Sequence, residues 1–68
     1  MTRYQALAAL TEKLILEGVL RPGEKLQSVR NACRIHNVSP ITVTQAYYLL
    51  ESRGVIQARS RSGYYVLP

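Results

Sequence analysis

The chain has 68 residues, of which 47% are hydrophobic and 19% are charged, and its formal net charge is +5. A chain of this length encloses one small core, which leaves no room for a second domain or for a walled active-site cleft. Three prolines and four glycines are too few for a disordered or fibrous chain. We therefore expect residues 1–68 to fold as one domain.

The positive charge is concentrated in the second part of the chain. Residues 1–24 hold as many acidic as basic residues, whereas from position 25 onward Glu51 is the only acid. The basic residues of that part are Lys25, Arg30, Arg34, Arg53, Arg59 and Arg61. A surface that binds a polyanion requires this asymmetry. A basic surface that serves only solubility is the alternative that charge alone leaves open.

The single cysteine, Cys33, excludes an internal disulfide, and we expect it to be a small buried apolar side chain. No apolar run approaches the roughly 18 residues of a membrane span. The first residues also lack the basic and apolar segments of a signal peptide. We expect a cytoplasmic protein that makes no membrane contact.

Apolar residues at helical spacing predict an amphipathic first helix over about residues 3–17. They are Tyr4, Leu7, Ala8, Thr11, Ile15 and Gly18. Gly18 suits a left-handed stop. Leu10 and Leu14 form a second stripe beside the first. We expect a broad core to cover that stripe, and a contact with a partner or with another domain is the alternative.

The next segment contains a Pro22-Gly23 turn, and Lys25-Leu26 can form at most a very short strand. A second helix is predicted from Ser28, as N-cap, to about His36. Asn37 then suits a left-handed turn residue.

His36 falls on the apolar repeat of the second helix, which comprises Val29, Ala32, Cys33 and His36. We expect a partly buried, hydrogen-bonded histidine at this position rather than a ligand-binding one. A zinc site with Cys33 fails, because two ligands do not make a tetrahedral centre. The sequence contains no catalytic constellation either, so an enzyme is disfavoured.

A third helix is predicted over about residues 39–53, with Ser39 as N-cap, Pro40 at the first helical position and Gly54 at the end. Its inward face comprises Val43, Ala46, Tyr47 and Leu50. Three or four residues separate the second and third helices, a gap that is typical of the helix-turn-helix.

Two β-forming runs follow, at residues 55–58 and 64–67, and a polar tip joins them at residues 59–63. This tip carries Arg59, Arg61 and Gly63, which is the composition of a basic wing. A solvated hairpin whose arginines have no function is the alternative. The predicted fold is thus mostly α: a winged helix-turn-helix of three helices followed by a two-stranded hairpin.

At this point the sequence resembles the N-terminal domain of the GntR superfamily over essentially its whole length. The matching segments are Tyr4, Pro22-Gly23-Glu24-Lys25-Leu26, Ser28-Val29-Arg30, Val38-Ser39-Pro40-Ile41-Thr42-Val43, Leu50-Glu51-Ser52-Arg53-Gly54 and Ser62-Gly63. The resemblance implies sequence-specific binding of double-stranded DNA, as the operator-reading head of a bacterial transcription regulator. A winged helix that contacts proteins, without reading DNA, is the alternative function.

The segment from Ala58 to Val66 is similar to the MocR branch of that superfamily. Members of this branch carry a C-terminal domain of aminotransferase type, which binds pyridoxal phosphate. The resemblance implies that this chain is an N-terminal fragment of a longer regulator and binds no cofactor itself. It also implies that the missing C-terminal domain makes the full-length protein a homodimer.

The resemblance assigns DNA contacts to all three parts of the motif. On the second helix it implies contacts from Ser28 and Arg30. An Arg30 that merely pairs with Glu51 or another acid is the structural alternative. Ser39 and Thr42 match positions that touch the DNA backbone, and both can also serve as caps. The wing residues Arg59, Arg61, Ser62 and Gly63 would enter the minor groove.

The outer face of the third helix presents Ile41, Thr44, Gln45 and Tyr48 to the major groove. Gln45 could bond adenine, Ile41 could contact a thymine methyl, and Thr44 or Tyr48 could bind a base edge or a phosphate. This chain departs from the family at Pro40 and Thr44, where many members have a basic residue. Specificity is therefore expected to rest on Gln45, Ile41 and the wing.

Overall fold

The computed structural model describes residues 1–68 and contains three helices followed by a two-stranded antiparallel sheet. The elements are α1 (Arg3–Leu16), α2 (Val29–His36), α3 (Pro40–Ser52), β1 (Ile56–Arg59) and β2 (Gly63–Val66). The predicted winged helix-turn-helix is confirmed, and each predicted helix boundary is correct to within one residue. None of the helices has the length and apolar composition needed to cross a membrane.

Side chains cap the start of every helix. The backbone amide of Gln5 donates to Thr2, that of Asn31 to Ser28 and that of Thr42 to Ser39. Each cap satisfies an amide that has no partner within its helix. Asn37, at φ 54°, closes α2 in the left-handed conformation, as predicted. The chain therefore turns sharply between α2 and α3 and places the two helices against each other.

The core consists of ten buried hydrophobic residues that come from all parts of the fold. They are Leu7, Ala8, Leu26, Ala32, Val43, Ala46, Tyr47, Leu50, Ile56 and Val66. The four from α3 are the predicted inward face of that helix. Helix α3 is thus the central element, and α1, α2 and β1 all pack against it.

Each strand of the hairpin lies one residue nearer the turn than predicted, so the pairing of the strands is as expected but the turn is shorter. The ladder pairs Ile56 with Val66 and ends with Arg59 opposite Gly63, so residues 60–62 alone form the turn. A left-handed Arg61, at φ 65°, allows this short connection, and the Ser62 amide closes it by donating to the Arg59 carbonyl at 3.0 Å. The predicted short strand at Lys25-Leu26 is a single bridge, between Lys25 and Tyr65.

Three expectations about burial were wrong. Leu10 is 44% exposed, because the apolar stripe of α1 extends beyond the area that α3 covers. His36 is exposed rather than partly buried, because α2 ends there, at the rim of open cavities beside α1. Cys33 is half-buried and lies against the core rather than within it.

Tyr47 joins distant parts of the chain. Its hydroxyl donates to the Gln27 carbonyl at 2.7 Å, just before α2 begins. Its ring meets that of Tyr64, on β2, edge to face with centroids 5.0 Å apart. Burial, with smaller contributions from Cys33 and Tyr64, raises the pKa of Tyr47 to about 12. The buried phenol therefore favours its neutral, hydrogen-bond-donating form.

Replacing Tyr47 by Phe should lower the free energy of unfolding by about 1–2 kcal/mol, because the Gln27 carbonyl loses its donor while the ring packing is kept. Urea denaturation at neutral pH measures the change. Tyr48→Phe is the matched control, since this ring is 59% exposed. That variant should change the free energy by less than about 0.5 kcal/mol. Equal losses in the two variants would contradict the role of the hydrogen bond.

Alkaline titration gives a second readout of the same contact. An unfolded tyrosine has a pKa of about 10, so the stability contributed by the raised pKa is fully present below about pH 10. It is lost as pH rises through the folded value of about 12. Between these limits the Tyr47→Phe variant should lose less stability than the Tyr48→Phe variant does.

Candidate nucleic-acid interface

The outer face of α3 is available for contact with a ligand. Ile41 is 70% exposed and Tyr48 is 59% exposed, and Gln45 lies between them on the same side. Thr44, on the flank of this face, is half-buried. An isoleucine this exposed contributes little to the core, so its apolar surface is free for a partner. The predicted face is confirmed as a surface, with Thr44 at its edge.

The start of α3 is held by two hydroxyl groups. Ser39 Oγ accepts from the Thr42 amide at 3.2 Å and lies 3.0 Å from Thr42 Oγ1. Pro40 occupies the first turn, where its missing amide hydrogen costs nothing. Ser39 and Thr42 therefore both serve the cap, and the positive end of the helix dipole lies at the surface beside them.

Arg30 is exposed near the start of α2 and makes no ion pair. The one ion pair of the domain joins Arg53 to Glu12 at 2.9 Å, between α3 and α1. Glu51 instead accepts a hydrogen bond from the Ala58 amide at 3.3 Å. The structural alternative for Arg30, a pair with Glu51 or another acid, is therefore wrong, and its guanidinium is free to bind an anion.

The two wing arginines differ in their surroundings. Arg61 is exposed in the turn. The Arg59 guanidinium lies over the Tyr65 ring, 4.4 Å from its centroid. The Tyr65 hydroxyl is also hydrogen-bonded to Ser62, whose side chain is half-buried. Arg59 is therefore held along the hairpin, whereas nothing holds Arg61.

Contacts between α3 and the hairpin fix the wing beside the outer face of that helix. The Glu51 carboxylate binds the Ala58 amide, and Tyr47 packs on Tyr64. Burial raises the pKa of Tyr64, and the nearby Glu51 and Tyr48 raise it further. Tyr48, which belongs to the exposed face, therefore lies close to the root of the wing.

Sequence reasoning missed Lys25 and Tyr65 as parts of this surface. A β-carbon at Gly63 would lie 3.1 Å from Lys25 Cε and 3.9 Å from Lys25 Nζ, so the lysine side chain runs along the wing. The charge count included Lys25 but gave no position for it. Only the pairing of Lys25 with Tyr65, 40 residues further along the chain, brings the two together.

A second surface lies on the other side of the α2 helix. Leu10, Leu14 and Ile35, with His36, line a cavity of about 240 Å³ that is partly open. Leu10 and Ile35 are 44% and 59% exposed, and Leu14 is half-buried. Six of the ten residues that line this groove are hydrophobic, and the polar ones are Thr11, Lys25, Gln27 and His36.

A short capped helix, a tight turn, a second helix with an exposed outer face and a basic hairpin define a winged helix-turn-helix domain. Comparison with known proteins gives the family. Residues 3–66 match the family described as bacterial regulatory proteins, gntR family. The chain therefore belongs to the GntR family of bacterial regulatory proteins and is a DNA-binding domain of that family.

Two relatives from Escherichia coli (strain K12) are similar over nearly the whole chain. The uncharacterized HTH-type transcriptional regulator YdcR is 46% identical over 68 residues, and the corresponding protein YjiR is 52% identical over 66 residues. These matches cover 100% and 97% of this chain but only 14% of each relative. The chain thus spans a small part of the length of the curated relatives it matches.

Solved structures agree with the fold. A GntR family transcriptional regulator from Listeria monocytogenes superposes with a TM-score of 0.94 at 28% identity, over 98% of this chain and 59% of that one. The DNA-binding domain of AraR, in complex with operator ORX1, gives a TM-score of 0.93 at 21% identity, over 97% of this chain and 80% of that one. At that identity the second match supports the fold alone.

Gly63→Ala tests the geometry of the wing. Gly63 has φ +119°, which strains any residue with a β-carbon, and the new methyl group would press on Lys25. We expect a loss of about 1–3 kcal/mol in the free energy of unfolding, measured by urea denaturation. Gly18→Ala is the control, because its φ of +79° is also left-handed but open space surrounds it. Its cost should be smaller, about 1 kcal/mol, and a larger loss at Gly18 would contradict the assigned strain.

Proposed function

We propose that this domain reads operator DNA with α3 in the major groove and the wing, residues 59–63, in the adjacent minor groove. The observation that carries the proposal is the exposed face of Ile41, Gln45 and Tyr48, which lies opposite the core and beside a basic hairpin. The AraR domain, which shares this fold, was solved in complex with operator ORX1, so the fold is one that can hold operator DNA.

In the major groove, Gln45 offers the amide that pairs with the edge of adenine, and Ile41 offers an apolar contact to a thymine methyl. Tyr48 reaches a base edge or a phosphate from the next turn of the helix. Thr44, half-buried at the edge of the face, is better placed for the DNA backbone. Because Pro40 and Thr44 replace basic residues, base reading depends on Gln45, Ile41 and the wing.

Phosphate contacts fix the domain on the duplex. Arg30 and Ser28 lie at the start of α2, and Ser39 and Thr42 lie at the start of α3. Both helix starts present backbone amides and a positive dipole end to an anion. The guanidinium of Arg30, free of any acidic partner, adds a full charge. Within the wing, Arg59, Arg61, Ser62 and Gly63 complete the contact at the minor groove, whose narrow A·T tracts attract arginine.

Charge reversal tests this interface. We expect Arg30→Glu and Arg61→Glu each to weaken binding of a labelled duplex by about tenfold or more. Binding by the unmodified domain should fall steeply between about 50 and 200 mM salt, because cationic side chains that bind DNA release its counterions. Fluorescence anisotropy measures both effects. Lys13→Glu, on α1, makes the same change in net charge and should cost less. No binding at low salt, or equal losses in all three variants, would overturn the proposal.

A protein-contact module without DNA readout is the alternative function. The apolar groove of Leu10, Leu14 and Ile35 is the observation in its favour. That function leaves the unpaired Arg30 and the basic wing without a role. The salt titration separates the two functions, because only a DNA-binding surface requires a steep salt dependence and a specific sensitivity at Arg30.

We also propose that the domain is the N-terminal part of a longer regulator of the MocR branch. Support comes from the similar segment Ala58 to Val66 and from the two Escherichia coli relatives described above, of which this domain would be only 14%. A C-terminal domain of aminotransferase type would bind pyridoxal phosphate and join two copies into a homodimer. Two heads would then read two half-sites, in the bacterial cytoplasm where the chromosome lies.

The longer polypeptide tests this assignment. Purified with its native C-terminal extension, it should show the absorbance of a bound pyridoxal phosphate chromophore and the mass of a dimer, whereas residues 1–68 alone should show no chromophore. Absorption spectroscopy and light scattering measure the two properties. A colourless full-length protein that binds no pyridoxal phosphate would exclude the MocR branch while leaving the DNA-binding domain unaffected.

A further inference from the structure

We propose that Lys25 and Arg59 form a phosphate-binding pair on the outer face of the wing, that Tyr65 positions Arg59 within this pair, and that Arg61 is the wing arginine that enters the minor groove. The proposal rests on the docking of the wing described above. It divides the wing arginines into a backbone contact and a groove contact, and it adds Lys25 to the interface.

The strand register places the members of the pair on one face. Lys25 lies directly opposite Tyr65, which in turn pairs with Gln57, while Gly63 pairs with Arg59. Paired residues and residues two apart on a strand point to the same side of a sheet. The other face carries Ile56 and Val66, which are buried in the core. Lys25, Arg59 and Tyr65 therefore share the face that points away from the core.

The two cations approach this face from opposite sides of β2. Lys25 runs towards Gly63, where the missing β-carbon leaves room for its stem. Arg59 extends from the end of β1 back along the hairpin to the Tyr65 ring, 4.4 Å from its centroid. Its charge is thus directed away from the turn. Arg61, which is exposed in the turn, is therefore the arginine that extends from the tip of the wing.

No acidic side chain neutralises the pair. Glu12 is bound to Arg53, Glu51 accepts from the Ala58 amide and Glu24 accepts from the Arg21 amide. No ion pair joins Lys25 or Arg59 to any of the four glutamates of the chain. Two uncompensated cations on one sheet face repel each other, and a phosphate between them removes that cost. A DNA backbone phosphate beside the minor groove has the required charge, and it lies next to the groove that Arg61 would enter.

Tyr65 acts as a positioning residue. Its ring holds the guanidinium by a cation–π contact, and its hydroxyl binds Ser62 within the turn. Holding the long arginine side chain in one direction reduces the rotamer entropy that binding would otherwise cost. One side chain therefore sets the direction of Arg59 and braces the turn that carries Arg61.

The test compares Lys25→Gln, Arg59→Gln and Arg61→Gln on two duplexes that differ only in an A·T or a G·C tract under the wing. Lys25→Gln and Arg59→Gln should weaken binding about three- to tenfold on both duplexes and reduce the salt slope by about 1 each, as loss of a phosphate contact requires. Arg61→Gln should chiefly reduce the preference for the A·T tract. Lys13→Gln, remote from the wing, is the control.

Variants of Tyr65 test the positioning role. Tyr65→Leu should reproduce the loss seen in Arg59→Gln, and it should cost much less in the Arg59→Gln background than alone. Tyr65→Phe keeps the aromatic face and should retain the salt slope. Thermal unfolding of each variant separates these effects from loss of the fold, since a merely structural Tyr65 would lower stability without coupling to Arg59.

Each contrary result is specific. If Lys25→Gln behaves as Lys13→Gln does, or if Arg59→Gln alters the A·T preference but not the salt slope, the phosphate pair is overturned. If Tyr65→Leu and Arg59→Gln are additive, the positioning role is overturned. A wild-type domain whose DNA binding is insensitive to salt and to Arg30→Glu would instead overturn the proposed function itself.

Discussion

The hydrogen bond from Tyr47 to the Gln27 carbonyl, with the packing of its ring on Tyr64, is the contact on which the relative placement of α2, α3 and the hairpin depends. The three parts come from distant positions in the chain, and each presents a different group to the surface. A domain with ten buried hydrophobic residues has little further core with which to hold them. Tyr47 does so from the centre of α3, because its hydroxyl reaches the Gln27 carbonyl while its ring packs on the hairpin.

Local backbone chemistry supplies what this small core cannot. An isolated helix of eight residues is marginal in water, so α2 requires its Ser28 cap, its left-handed end at Asn37 and the packing of Ala32. The hairpin likewise gains from the Glu51 bond to the Ala58 amide and from the bridge at Lys25. These contacts lie at the ends of elements or on the core side. The fold therefore does not depend on the residues of the outer face of α3.

The sequence predicted the elements well and their edges less well. The inward face of α3 was correct to the residue, because a capped helix with a period of 3.6 leaves one arrangement of its apolar residues. The expected burial of Leu10 and His36 was wrong, since helical spacing shows which residues share a face but not whether another element covers that face. The turn of the wing, residues 60–62 rather than 59–63, is shorter than predicted for a similar reason: an alternating pattern does not fix where a turn closes. Lys25 and Tyr65 could not be paired from local sequence, because their contact depends on the three-dimensional fold.

Two pairs of adjacent tyrosines separate stability from surface chemistry. Tyr47 and Tyr64 point inward and contact each other, whereas Tyr48 is exposed and Tyr65 carries Arg59 on the outer face. The separation follows from geometry, because neighbours differ by about 100° around a helix and by about 180° along a strand. A substitution at an outward position therefore alters what the domain contacts without disturbing Tyr47 and Tyr64. The departures at Pro40 and Thr44 are of this kind: they leave the cap and the core of α3 intact, and they change only the groups available to read DNA.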